Sequence, residues 1–154
     1  MSWKIGSILI FLSQSAGCVI PENTAVNWTA YRLQTIGQSI AALHVLGYDV
    51  ANAKSLEELV DEAVKTRLIY PDDYQNSKLY KEDYWGHLYS WEKSVSEDEV
   101  YIRVLSNGPD GVTQGGEGDD LFVEVRISTK GTKTKIVLKT LTDNYKPRKI
   151  EIKP

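Results

Sequence analysis

From Thr24 to Leu46 apolar residues recur at alternating steps of three and four: Val26, Ala30, Leu33, Ile36, Ile40 and Leu43. That spacing puts them on one face of an amphipathic helix, and Gly47 supplies its C-terminal stop. Gly37 and Ser39 inside it lower helix propensity, which predicts close packing at that point. Ala51-Asn52-Ala53-Lys54 is a connector. Ser55 then has the chemistry of an N-cap, and Glu58 three residues on completes a capping box. Leu56, Leu59, Val60, Ala63, Val64 and Leu68 make the apolar face of a second, shorter helix. Tyr70-Pro71 is expected to close it, because proline disfavours helix in the residue before it.

Past Asp73 the period changes to two. Strands are expected at 87–92, 100–105, 121–127 and 135–141, with an edge strand in 148–153 and a hairpin turn at Lys130-Gly131-Thr132-Lys133. Helices first and antiparallel strands second predict an α+β fold, with both helices packed on one antiparallel sheet. The 154 residues suit a single domain, and no internal repeat is visible.

A formal charge of -3 leaves no basic footprint, so nucleic acid is not an expected partner. Nine Tyr and four Trp against two Phe favour half-buried surfaces and contacts. The single cysteine, Cys18, excludes an internal disulfide. It follows one Lys, an apolar run from Ile5 to Leu12, and small residues, which is the layout of a secretory signal peptide over 1–17. The run is too short to span a bilayer, which takes about 20 residues. Ser15-Ala16-Gly17-Cys18 resembles the lipobox of bacterial lipoproteins, in which the cysteine is acylated and becomes the mature N-terminus. Ser15 departs from the usual Leu. A buried N-terminal strand and a differently placed cleavage site are the alternatives.

The densest chemistry lies in Ser106-Asn107-Gly108-Pro109-Asp110-Gly111 and Gly115-Gly116-Glu117-Gly118-Asp119-Asp120-Leu121, acids threaded on a glycine-rich loop between two strand-like runs. Preceded by Asp83-Tyr84-Trp85-Gly86-His87-Leu88-Tyr89, this resembles the Trp-Gly segment and calcium loop of type II secretion major pseudopilins. The order helix, connector, Trp-Gly segment, strand, loop is also theirs, over roughly Thr24 to Val123. The resemblance implies a pseudopilin-like globular domain over 18–154 with one Ca2+ in the loop. The ligands carried over are Asp110 as the early carboxylate and Asp119 and Asp120 as the closing pair, with the backbone carbonyls of Asn107 and of 112–115 completing the shell. It further implies a non-enzymatic structural or interaction domain of the bacterial cell envelope. Such a domain would be lipid-anchored at Cys18 or periplasmic, with protein partners and with self-association open. The family's leading hydrophobic helix is missing, and the strands after Val123 extend past its usual end. The runner-up is a free-standing lipoprotein binding module on the same fold.

Other chemistries find less support. The loop spacing does not fit an EF-hand, which needs alternating Asp/Asn and a closing Glu. His44 and His87 are the only histidines and lack zinc-type partners. Neither accompanies a Gly-x-Ser-x-Gly elbow. The adjacent pairs Asp72/Asp73 and Asp119/Asp120 point different ways from an extended chain, unlike a glycosidase pair. The aromatic stretch from Tyr70 to Trp91 reads either as a protein or glycan contact surface or as Trp85, Tyr89 and Trp91 packing the sheet against the first helix, and packing is expected for Trp85. Tyr74 and Tyr80 are open between packing and contact.

Overall fold

Helix α1 (Thr24–Val45) lies across a sheet of five strands and carries a shorter helix at its side. The structure is a computed structural model that describes residues 24–70, 80–115 and 120–129 in full, and the backbone of 134–139 and 149–152. Helix α2 is Leu56–Lys65, and a 3-10 turn, Val50–Asn52, connects the two. The strands β1 (Ser90–Val95), β2 (Glu99–Ser106), β3 (Leu121–Ser128), β4 (Thr134–Lys139) and β5 (Lys149–Ile152) form an antiparallel meander in sequence order. The fold is thus α+β, as the two periodicities predict.

The helical stripe is buried from Ala30 to Leu43, and Val26 is partly buried against the same core. Leu33, Ile36, Ile40 and Leu43 are buried, together with Gly37 and Ser39, so the small residues do mark a close approach. Each buried aliphatic side chain contributes about 1.5–3 kcal/mol of transfer free energy. Gly47 closes α1 at φ +87°: its N–H donates to His44 O and the Tyr48 N–H to Leu43 O, a Schellman motif. The strand alternation holds as well. Val104 faces Val123, Ile102 faces Val125 and Val100 faces Ile127 on the helix side, all buried. Arg103 against Glu124 and Tyr101 against Arg126 occupy the other side. There the Tyr101 hydroxyl donates to Glu124 at 2.9 Å and the Arg103 guanidinium stacks 4.2 Å from the Phe122 ring.

Three local expectations are corrected. Helix α2 ends at Lys65 rather than at Pro71, through a second Schellman motif in which Leu68 N–H donates to Ala63 O and Arg67 N–H to Val64 O. Arg67 holds the left-handed position at φ 59°, so Leu68 packs from beyond the helix. Second, Ser55 does cap α2, its hydroxyl accepting from Glu58 N–H at 3.1 Å. Glu58, however, reaches back to Lys54 N–H (2.8 Å) instead of Ser55, and its other oxygen accepts from the Tyr48 hydroxyl. The Lys54 N–H, then the Tyr48 hydroxyl, hold the Glu58 carboxyl below the usual range. Third, the strand expected from His87 begins only at Ser90, for a reason that belongs to the site.

The leader 1–17, Cys18, Tyr74, Asp119 and the hairpin turn at 130–133 lie outside the described residues. No described helix is long and apolar enough to cross a membrane.

Candidate functional site

The two segments that carry the family resemblance are in contact, and Asp83 is the hinge between them. Its side chain is fully buried. One carboxylate oxygen accepts from the N–H groups of Trp85 (3.0 Å) and His87 (2.9 Å). The other accepts from the Ser106 hydroxyl at 2.7 Å, and Ser106 Oγ in turn accepts from Gly108 N–H at 3.3 Å. Short polar side chains divert nearby backbone N–H groups from strand ladders in this way. That capture bends 83–87 into a turn, with Asp83 N–H donating to His87 O at 2.8 Å, and it explains why β1 starts three residues late.

His87 makes the second link. Its Nδ1 lies 3.0 Å from Gly108 O. A carbonyl can only accept, so Nδ1 carries a proton and donates it to this oxygen. Gly111, at φ +69°, passes so close that a Cβ there would stand 2.9 Å from His87 Nε2. Glycine is therefore required at 111 twice, by its backbone angle and by the ring against it. Although Ser106, His87 and Asp83 are residue types of a hydrolytic triad, neither ring nitrogen hydrogen-bonds Ser106. The serine proton is directed to Asp83 instead, so the three side chains are not arranged as a Ser–His–Asp relay.

The expected calcium ligands act within the described loop as hydrogen-bond acceptors for its own tip. Asp110 accepts from Val112 N–H (2.8 Å) and from the Gln114 amide (3.1 Å). Asn107 Oδ1 accepts from the Thr113 hydroxyl at 3.0 Å. Asp120, buried, accepts from Gln114 N–H at 2.6 Å. Residues 112–114 are thus all held by the side chains of Asn107, Asp110 and Asp120, Gln114 by two of them, and Arg103 fixes Gly115 O at 2.8 Å. The donor set is all oxygen, which suits a hard cation. Among the described residues no group of three His, Cys, Asp or Glu side chains stands close enough to hold a metal.

The aromatic residues divide. Tyr80 and Tyr89 are buried in the core and Trp91 packs against it. Trp85 does not join them: it sits in the turn around Asp83 and stays half-buried outside the core cluster, correcting the expectation that it packs the sheet. Sequence reasoning missed Asp83 as the organiser and Thr29, a fully buried hydroxyl of α1 that accepts from Tyr84 N–H at 3.2 Å. A polar residue on an otherwise apolar helical stripe was the available signal for Thr29. A cleft of about 140 Å³ is lined by Leu56, Glu57, Val60, Tyr80, Lys81, Leu88 and Tyr89. Lys81 is engaged by Glu57 and Asp61, and no histidine lines the cleft. Comparison with family models, with curated proteins and with solved structures finds no match for the chain.

Proposed function

We propose that this chain is a non-enzymatic structural and interaction domain of the bacterial cell envelope, lipid-anchored at Cys18, acting by protein contacts in or beside a type II secretion or pilus-like machine. One observation carries the reading: the two segments similar to major pseudopilins, 83–89 and 106–121, are clamped together through Asp83, Ser106, His87 and Gly108. Such a clamp serves to present a loop in fixed geometry. In this reading a single Ca2+ braces that loop, held by Asn107, Asp110 and Asp120, with Asp119 as the further carboxylate. Bound there, the ion would neutralise the clustered carboxylates and tie the end of β2 to the start of β3.

The ion is tested by thermal unfolding of the mature chain in calcium and in excess chelator. A ligand at 100 times its Kd stabilises by about 2.7 kcal/mol, or roughly 5–10 °C for a chain of this size. Asp110→Ala should abolish that shift, and identical melting in calcium and chelator rejects the ion site. The cellular role is tested separately. Crosslinking in cells should join the protein to secretion-machine components, and secretion ATPase and prepilin peptidase genes should neighbour its gene. If both fail, the free-standing binding module replaces this reading.

A further inference from the structure

We infer that the N-terminal end of α1 rests on the lipid headgroup surface through Trp28, Tyr31 and Tyr84, so that the domain is held against its membrane rather than hanging from a loose tether. The inference relies on the acylation of Cys18 proposed above.

Three features meet at that end. Trp28 and Tyr31 lie in the first two turns of α1, 51% and 55% exposed, and stack edge to face with ring centres 6.0 Å apart. Tyr84 is 51% exposed and pairs with Trp85 at 6.5 Å. Its backbone N–H is bound to Thr29, the residue after Trp28, so both aromatic pairs sit at one pole of the domain. Large exposed aromatics at one place mark a contact surface. Their kind points to lipid, because Trp and Tyr combine an apolar ring with a polar handle and concentrate at membrane interfaces.

The tether supplies the second argument. Cys18 and Thr24 are six residues apart, so the linking chain spans at most roughly 20 Å. Trp28 lies about 6 Å further along the helix axis and Tyr31 about 10 Å. An acyl chain at Cys18 therefore holds the start of α1, and with it this pole, within roughly 20 Å of the headgroups. Helix α1 itself carries Arg32 beside Tyr31 and no Asp, Glu or Lys, so neutral lipid is the expected surface and salt should have little effect.

The test uses the full chain expressed in a bacterium that acylates it, purified, and reconstituted in phosphatidylcholine and phosphatidylethanolamine vesicles whose acyl chains carry bromine just below the headgroups. Intact mass first reports whether Cys18 is acylated, which judges the anchor separately. In acylated protein, bromolipid should quench tryptophan emission, and Trp28→Phe should remove most of that quenching. A Trp28→Phe, Trp85→Phe variant, which retains Trp91, should be barely quenched. Acylated protein whose emission is indifferent to bromolipid overturns the docking while leaving the anchor standing, and would hand the patch to a protein partner. Unacylated Cys18 overturns both.

Discussion

Replacing Asp83 by alanine should be among the most damaging single changes available outside the apolar core. The substitution removes a buried acceptor and strands two main-chain N–H groups and the Ser106 hydroxyl. Each buried donor left without a partner costs about 1–3 kcal/mol. Water reaching the half-exposed turn recovers part of this, so the net loss should be about 3–5 kcal/mol. That is a large fraction of the roughly 5–15 kcal/mol that keeps a domain folded. For a chain of this length it corresponds to a melting temperature lower by roughly 6–20 °C. Asp83→Asn is the informative companion. Its amide oxygen can still accept from Trp85 and His87, and the Ser106 hydroxyl can turn to accept from the new NH2, so its cost should stay near 1 kcal/mol. Urea unfolding followed by tryptophan fluorescence would give both values. If alanine costs less than about 1 kcal/mol, or if alanine and asparagine cost the same, the clamp does not hold the two segments as described.

Three further changes test other parts of the fold. Gly111→Ala forces a side chain into φ +69° and against His87, and should cost about 2–3 kcal/mol by chemical denaturation. Adding His87→Ala should return part of that cost in a double-mutant cycle, since only the ring contact is relieved. Arg67→Gly relaxes a left-handed residue at the end of α2 and should raise the urea midpoint by the equivalent of about 0.5–1 kcal/mol, the steric gain exceeding the entropy that glycine adds to the unfolded chain. Burial, and then the hydrogen bond to Glu124, push the Tyr101 hydroxyl up to about 12 from an ordinary value of 10.0. The folded state therefore keeps a proton that the unfolded state releases, so this contribution is complete below pH 10 and fades between 10 and about 12. Tyr101→Phe should flatten stability against pH in that window, and ultraviolet titration of the parent should show a phenol ionising late.

What the sequence determined by itself is the set of elements and the faces they bury. The three-and-four spacing of Val26 to Leu43 and the alternation through β2 and β3 are local periodicities, and burial followed them because an apolar face has only one place to go. Gly47 and Ser55 were equally legible, since each acts on backbone groups within a few residues of itself. Tertiary structure decided the rest. Nothing in Asp83 as a letter says that its carboxylate will meet Ser106, twenty-three residues away, or that this will cut β1 short. Likewise Asn107, Asp110 and Asp120 read as oxygen-bearing side chains on a glycine loop, while only the folded chain shows each one holding a residue of 112–114. Arg67 carries no signal for a left-handed turn, because the packing of Leu68 imposes a conformation that the residue itself disfavours. Period and capping are written along the chain, whereas a buried carboxylate takes its partners from whatever the packing of the core brings to it.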